Sequence, residues 1–341
     1  MSNSHHMKGQ LVAIASLLLL SIATWTILGP LRPPKAVTKA ANAQMRSRFS
    51  LANLRQDLER YPGLIRASLD AYPGQNAEGT YLVPGLTEQE TLKPVGHQFV
   101  PIRSQFMTPQ GVTVTPKYVI TTAYDHSNRG NSVLNILDRQ TGSFIKRVIL
   151  QGRPHVGGIT YQPDAKVLWV CGAKDGRAQL FSIKLTSIDR YKARTNRPIA
   201  YQHSALLPTI QRASLVAYQN GYLWVGFFSP FGNSTVQRFN VHDVETNSHT
   251  LKSRFKAQGL FDGVFQRLTS QETIGKIQGL SFYKDNVYLS QSFGPEDSWL
   301  YIYHKNLHRQ RFTPAQAVAR VRMPAHLEQI TCPFRADYHS R

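Results

Sequence analysis

One aspartate and two histidines are the side chains in this chain best suited to chemistry. Asp125 and His126 are adjacent, and His155 follows in the next segment. A carboxylate and two imidazoles that meet in one place can bind a divalent metal ion or exchange protons near neutral pH. The alternative is that Asp125 and Asn128 only cap a turn by accepting hydrogen bonds from backbone amides, with His155 as a polar residue on a rim.

Three glutamines extend this candidate site because each stands at the opening of a repeated strand. The candidate ligand-binding residues are Gln110, Asp125, His126, Asn128, His155, Gln278 and Gln329. The sequence assigns no catalytic residue, metal site or cofactor, although a divalent metal ion would suit the histidines. The chain contains no Gly-x-Ser-x-Gly, His-Glu-x-x-His, Walker or dinucleotide-binding motif.

A repeated strand pattern must position these residues. A short opening, typically Gly-apolar-Ser/Thr-apolar, is followed each time by an aromatic or aliphatic strand and then by a third strand after a polar loop. The openings start at Gly111, Gly158, Leu215 and Gly279, and a fifth is Gln329-Ile-Thr-Cys332. Their spacing is close to the ~40–50 residues of a four-stranded propeller blade with loop insertions. The sequence therefore predicts an all-β fold, a β-propeller of about five blades with an incomplete last blade; an irregular β-sandwich is the alternative.

Blade topology then predicts which residues share a face. The loop between strands two and three lies on the face where the chain enters strand one, so the loop 124–131 is expected beside His155 and the three glutamines. A ring normally closes when strands from both termini share one blade. Either the segments 79–83 and 98–102 complete the ring or the chain is truncated, and the sequence leaves both open.

The N-terminal region predicts a membrane anchor. No charged residue occurs from Gly9 to Leu31, a length that crosses a hydrocarbon core of ~30 Å at ~1.5 Å per residue. We therefore predict a signal anchor over residues 1–31, a basic, partly helical linker over 32–94 and the propeller over 95–341. The alternative is a cleaved signal peptide ending at Ala41-Asn-Ala43, a site far beyond the apolar stretch.

The charges that flank this anchor argue against the orientation that we expect for it. Five basic residues follow the apolar stretch between positions 32 and 48, whereas Lys8 precedes it. The positive-inside rule would thus leave the large domain in the cytoplasm, but the rule is weak for long domains. We expect a single-pass protein of the cell membrane with its large domain outside.

Composition indicates a folded domain with a cationic surface. The chain has 40 Lys and Arg against 20 Asp and Glu, a net charge of +20, with 41% hydrophobic and 10% aromatic residues. Such a surface favours an anionic cell-wall polymer or an acidic lipid as a partner beside the membrane itself. Nucleic acid is not expected, since no recognition motif is present. Cys171 and Cys332 match no zinc or redox spacing and are predicted to be isolated thiols, although a pair stays open for an exported domain.

The repeats carry a resemblance to a known group. The Gln110-Gly111 opening, the run 132–138, the Thr141-Gly142 turn and the second-strand residues Trp169 and Trp224 resemble the exported YncE-like, glutaminyl-cyclase-like and lactonase-like propellers over residues 105–332. The stretches 109–112, 124–126, 131–133 and 155–159 are similar to uncharacterised surface proteins of Gram-positive bacteria. The resemblance implies a propeller fold and an extracytoplasmic location, and implies no established activity.

The candidate site has few of the acidic residues that the enzymes of this group would need. A cyclase-like mechanism would need a carboxylate near the propeller axis, where Glu328 is the one acid available, and a lactonase-like mechanism would need several acidic calcium ligands there. We therefore predict a binding or scaffold module for an anionic cell-surface polymer or a protein partner. The alternative is a propeller enzyme, cyclase-, lyase- or lactonase-like, with its site on the face of Asp125, His126 and His155.

Overall fold

A β-hairpin and four antiparallel sheets form the described part of the protein. The computed structural model describes residues 56, 58–64, 83–84, 88–174, 176–193, 195–207, 209–242, 269–304 and 312–332. The hairpin consists of β1 (Gln89–Val95) and β2 (Gln98–Ser104). Each sheet has four strands in chain order, as expected for a propeller blade.

The blades have the following strands. Blade 1 contains β3 (Met107–Val114), β4 (Tyr118–Asp125), β5 (Val133–Asp138) and β6 (Phe144–Ile149). Blade 2 contains β7 (Ile159–Gln162), β8 (Val167–Lys174), β9 (Arg177–Lys184) and β10 (His203–Leu206), with the helix α1 (Leu185–Arg190) between its last two strands. Blade 3 contains β11 (Leu215–Gln219), β12 (Tyr222–Gly226), β13 (Ser234–Asn240) and β14 (Thr269–Thr273). Blade 4 contains β15 (Ile277–Tyr283), β16 (Asn286–Gln291), β17 (Ser298–His304) and β18 (Ala319–Met323), with a 3-10 turn at Pro314–Gln316 before β18.

The predicted repeat corresponds to the blades. The four openings lie in or directly before β3, β7, β11 and β15, and these strands contact one another in the order β3, β7, β11, β15. The all-β, propeller-like fold is therefore confirmed. The expected number of about five blades is corrected to four complete blades in the described residues.

Apolar side chains fill the spaces between neighbouring blades. In β8, Leu168 and Val170 point toward blade 1, whereas Trp169 between them points toward blade 3. Trp224 of β12 packs in the same way between blades 3 and 4. Burying a side chain of this size contributes roughly 2–3 kcal/mol. The second strands β8 and β12 are therefore apolar on both faces, which explains why they stood out in the sequence.

Glycines open the innermost strands because these strands approach one another closely at the axis. A Cβ atom on Gly158 would lie 2.6 Å from the backbone nitrogen of Val216, and one on Gly279 would lie 2.8 Å from that of Ile330. Real Cβ atoms are not found so close to backbone, so only glycine fits here.

The fifth opening is a single extended segment that takes the place of an innermost strand beside β15. The amide of Cys332 donates to Ser281 Oγ at 2.9 Å, just as the amide of Tyr218 in β11 donates to Thr160 Oγ1 of β7 at 3.0 Å. Gln329 in turn reaches β3 through the amide of Val112 at 3.3 Å. The segment 327–332 therefore lies between blades 4 and 1, where a fifth blade would begin.

The N-terminal hairpin covers blade 1 and does not join a blade. Leu92 packs into a cluster with Met107 and Val133, and the Asn131 amide donates to the Leu92 carbonyl at 2.8 Å. The expectation that segment 98–102 supplies a missing blade strand is thus wrong, because those residues pair with β1. Segment 79–83 lies outside the described residues except for Val83.

A short stretch of the predicted linker packs against blade 4. Leu58 is buried, and the Tyr61 hydroxyl donates to Asp297 Oδ1 at 2.9 Å. The Arg322 guanidinium lies 5.7 Å from the centre of the Tyr61 ring and also pairs with Asp297. The predicted anchor over residues 1–31 lies outside the described residues. Among those that are described, no helix is long and apolar enough to span a bilayer.

Candidate functional site

Two faces of the propeller carry the candidate sites. On the upper face the chain enters the innermost strands, and the loops between second and third strands also lie there. On the lower face the innermost strands end. The segment 327–332 runs along the axis from the upper to the lower face, with Gln329 buried between them.

The carboxylate of Asp125 on the upper face accepts hydrogen bonds from its own turn and from Ser104. Its Oδ1 accepts hydrogen bonds from Ser104 Oγ at 2.9 Å and from the amide and hydroxyl of Ser127 at 3.0 and 2.7 Å. Its Oδ2 accepts from the amides of Gly130 at 2.7 Å and Arg129 at 3.3 Å. Burial alone would raise the pKa of Asp125, but the bonds from Ser127, Gly130 and Ser104 outweigh burial and hold the pKa below its usual value. This geometry is that of a turn cap, the alternative recognised from the sequence.

Three other candidates make mainly local contacts. Asn128 is exposed, has a positive φ of 55° and donates its amide to the Asp125 carbonyl at 2.8 Å. Gln110 donates to the carbonyl of the preceding Pro109 at 2.8 Å, and Gln278 donates to the Ser292 carbonyl at 3.4 Å. Both glutamines are half-buried at irregularities where the inner strand enters its sheet.

Tyr124, which the sequence analysis did not single out, joins the two histidines. Its hydroxyl lies 3.0 Å from His126 Nδ1, and its ring centre lies 4.2 Å from that of His155 at an interplanar angle of 33°. Desolvation of the imidazole lowers the pKa of His155, and the positive charges of His126 and Arg212 lower this pKa further. His155 is therefore mainly neutral at pH 7, although the residue keeps exposed surface.

Glu328 is the acidic group of this cluster. Its carboxylate is half-buried, receives no hydrogen bond or ion pair from the described residues, and lies close enough to Tyr124 that its charge raises the pKa of that phenol after burial itself. Desolvation raises the pKa of Glu328 to about 7. The upper face thus holds a carboxyl group that can exchange a proton near neutral pH, close to the tyrosine whose ring packs against His155.

Gln329 is the candidate that lies at the axis. Its Oε1 accepts from the amides of Ile159 at 2.9 Å and Val112 at 3.3 Å, and its Nε2 donates to the carbonyls of Ile159 at 2.7 Å and Val216 at 3.5 Å. One side chain therefore connects the C-terminal segment to the innermost strands of blades 1, 2 and 3. It closes the axial channel between the two faces.

Below Gln329 lies an axial cavity of about 610 Å³. All four innermost strands and the C-terminal segment contribute to its wall, and such a volume suits a small-molecule ligand. Aromatic walls come from Tyr161, Tyr218, Phe282 and Tyr283, whereas Thr113, Gln219, Asn220 and Thr331 supply polar groups. A second cavity of about 690 Å³ is more open and lies away from the axis, between the β1–β2 turn and residues 196–198.

The wall of the axial cavity carries little net charge. Lys284 and Asp285 are adjacent on its rim and balance each other. Burial, with the neighbouring Asp164 carboxylate as its hydrogen-bond partner, raises the pKa of Tyr218 to about 12, so this phenol stays neutral. Burial also raises the pKa of the Cys332 thiol, which is therefore a poor nucleophile. The cavity is thus a neutral, hydrogen-bonding space with aromatic walls.

The histidines and Asp125 do not form a metal centre in the part of the chain that the structure describes. No group of three His, Cys, Asp or Glu side chains there is placed to hold one metal ion. Cys171 and Cys332 are both free thiols, and burial raises the pKa of Cys171 as well.

Comparison with known proteins gives structural matches only. No protein-family model and no curated protein sequence matches the chain. Hydrazine synthase of Kuenenia stuttgartiensis matches at 14% identity and a TM-score of 0.33, over 67% of this chain and 56% of that one. The Dos1 propeller matches at 12% identity and a TM-score of 0.35, over 66% and 50%. The β-propeller domain of the trilobed protease from Pyrococcus furiosus matches at 10% identity and a TM-score of 0.32, over 64% and 58%. The chain thus spans only half to three-fifths of these structures, and the fold assignment depends on the sheets described above.

Proposed function

We propose that this protein is a ligand-binding propeller that takes a neutral, hydroxyl-rich small molecule into the lower axial cavity. The observation that supports the proposal is the convergence of five innermost elements on one space of about 610 Å³. A cavity to which every repeat contributes exists only in the assembled fold, and concave spaces of this size are the usual ligand sites of proteins.

The lining supports the chemical class of the ligand. Faces of Tyr218, Phe282 and Tyr283 are partly exposed and offer apolar contact to the C–H faces of a sugar ring. Gln219 and Thr331 offer donors and acceptors to hydroxyl groups. The balanced pair of Lys284 and Asp285 gives no attraction for a polyanion, so the predicted anionic polymer would need another surface.

Saccharide binding by the full chain tests this function. Cellobiose and di-N-acetylchitobiose are suitable probes, measured by saturation-transfer NMR and calorimetry. We expect Thr331→Val, which removes one hydroxyl at constant shape, to weaken binding about fivefold, the equivalent of ~1 kcal/mol. Tyr283→Ala should weaken it further, and Tyr288→Ala, a half-buried tyrosine of β16 that does not line the cavity, is the matched control. Failure of both saccharides to bind would contradict the proposal.

A second candidate function is proton-transfer catalysis on the upper face. The specific observation in its favour is Glu328, whose carboxyl has a pKa of about 7 and lies close to Tyr124, the residue whose ring packs against His155. Any hydrolytic, lyase or cyclase turnover should then be lost in Glu328→Gln and retained in Glu296→Gln, an exposed acid on the same face. Equal activity of the two variants would remove Glu328 from the chemistry.

The membrane location of the protein is a separate part of this proposal. We propose a membrane-anchored protein whose propeller lies outside the cytoplasmic membrane, with the uncharged stretch from Gly9 to Leu31 as its support. Protease added to intact cells should digest the propeller. Complete protection of the propeller would instead favour the orientation given by the positive-inside count.

A further inference from the structure

Two phenylalanines project from the upper face at the tips of neighbouring blades. Phe231, between β12 and β13, is 88% exposed, and Phe293, between β16 and β17, is 51% exposed. The ring centre of Phe228, in the same loop as Phe231, lies 5.7 Å from that of Phe293. We call Phe228, Phe231 and Phe293 the aromatic tip. Large apolar side chains grouped in this way normally mark a contact surface.

The loop that carries the aromatic tip is braced. Ser229 Oγ donates to the Phe231 carbonyl at 2.6 Å, and the Lys276 amide donates to the Ser229 carbonyl at 2.8 Å. A Cβ atom on Gly275 would lie 2.1 Å from the Gly232 carbonyl oxygen, so the two connections are in close contact. The fold thus holds Phe231 outward in place of letting it collapse onto blade 3.

Basic side chains lie on the same face as the aromatic tip. The Lys276 ammonium lies 5.0 Å from the centre of the Phe293 ring. The upper-face connections of blades 1 to 3 carry the exposed residues Arg129, Arg153, Arg177 and Arg212. The acidic groups described on this face, apart from the buried Asp125, are Glu296, the half-buried Glu328 and Asp297, which already pairs with Arg322. The face therefore carries both the aromatic tip and an excess of positive charge.

The linker stretch meets the propeller at this same face. Asp297, which accepts the hydrogen bond from Tyr61, follows Phe293 in the same upper-face loop. The Tyr61 side chain therefore contacts the same upper-face loop that carries Phe293 of the aromatic tip.

We propose that the upper face docks on an acidic lipid bilayer, with Phe231 and Phe293 inserted at the headgroup boundary. Aromatic side chains prefer this boundary, and each nearby basic side chain adds attraction to acidic headgroups. A soluble polyanion would use the arginines and leave the phenylalanines in water, so the combination favours a membrane. The proposal is independent of the ligand in the lower cavity, which would remain open to solvent.

Site-specific fluorescence of the full chain tests this docking. An environment-sensitive fluorophore is attached to Phe231→Cys, and for comparison to Phe144→Cys, another exposed phenylalanine (50% exposed) at the lower end of β6. Both variants carry Cys332→Ser, and Cys171 is fully buried and unreactive. The proteins are reconstituted in vesicles of phosphatidylcholine with or without phosphatidylglycerol.

The expected result is specific to position and lipid. The fluorophore at position 231 should shift to the blue and be quenched by brominated lipid in vesicles that contain phosphatidylglycerol, whereas position 144 should report water in both. Raised salt should reduce the effect, since charges are screened over ~8 Å at physiological ionic strength. The same aqueous signal at both positions would overturn the proposal. A blue shift that grows with protein concentration without vesicles would also overturn it, because it would assign the aromatic tip to contact between copies of the chain.

Discussion

Replacing Gln329 by alanine should destabilise the propeller far more than replacing either of the other two glutamines at strand openings. Gln329 is 7% exposed and makes three firm hydrogen bonds, two from the amides of Ile159 and Val112 and one to the Ile159 carbonyl. Gln110 and Gln278 are half-buried and make one bond each. The three residues looked equivalent in sequence, which makes them a matched set.

The magnitude follows from these contacts. Each hydrogen bond contributes ~1 kcal/mol net, and a buried amide left without a partner costs ~1–3 kcal/mol. Gln329→Ala removes three bonds and leaves two amides at the axis unpaired, so we expect a loss of about 3–5 kcal/mol. Gln110→Ala and Gln278→Ala should each lose about 1 kcal/mol or less. Gln329→Glu can donate to the Ile159 carbonyl only while its carboxyl group is protonated, and it should be less stable at pH 8 than at pH 5, because a buried carboxyl group resists ionisation.

Urea unfolding of the full chain in one fixed detergent provides the measurement. Trp169 and Trp224, buried between blades, report the loss of the ring by fluorescence. The unfolding midpoint should fall most for Gln329→Ala with an unchanged slope, which would show that the unfolded state is not altered. If Gln329→Ala falls within about 0.5 kcal/mol of Gln110→Ala, an experimental margin typical of surface changes, then the segment 327–332 does not close the ring as described.

Three further predictions concern single groups. Glu328→Gln should stabilise the protein at pH 8 and change its stability little near pH 4, because a carboxyl group whose folded pKa is raised to about 7 disfavours folding once the unfolded form ionises. Equal effects on urea unfolding at the two pH values would argue against burial of this group. Asp125→Asn should remove the part of the stability that is present above pH ~4 and is lost as the pH falls through the lowered folded pKa of Asp125. The free energy of unfolding should then fall less steeply with acid in this variant, and the exposed Asp285→Asn is the control. The pKa of His155 should lie below 6.5 when measured by NMR titration, and it should rise in Arg212→Gln. A pKa above that of a free imidazole would contradict the packing of His155 against Tyr124.

The repeat was predictable because it depends on local residue types. Gly158 before β7 and Gly279 in β15 stand where a Cβ atom would lie within 3 Å of neighbouring backbone, and the second strands β8 and β12 are apolar on both faces because two blades cover them. The outer strands β10, β14 and β18 were not foreseen. β18, Ala319-Arg-Val-Arg-Met323, is half-exposed with two arginines, so its pattern resembles that of a loop more than that of a buried strand.

The candidate site was predictable in its location but not in its members. Strand alternation correctly placed the loop after β4 beside the connection into β7, which is why His126 and His155 both lie near Tyr124. It could not show that Asp125 would be surrounded by amides and hydroxyls of its own turn. The lower cavity was missed because its lining residues come from the ends of five separate elements, which share no motif in sequence.

By itself the sequence determined the all-β repeat, the four strand openings and the excess of positive charge, because periodicity, glycine positions and composition are local properties. Only the tertiary structure decided that the fifth opening lies along the axis as one segment, that Gln329 bonds to three blades, and that Glu328 is desolvated at the mouth of the channel. These outcomes depend on which backbone groups of distant strands remain unpaired at the axis and on how much water the assembled ring excludes. Both are set by contacts between residues more than a hundred positions apart, such as Gln329 with Ile159 and Val216.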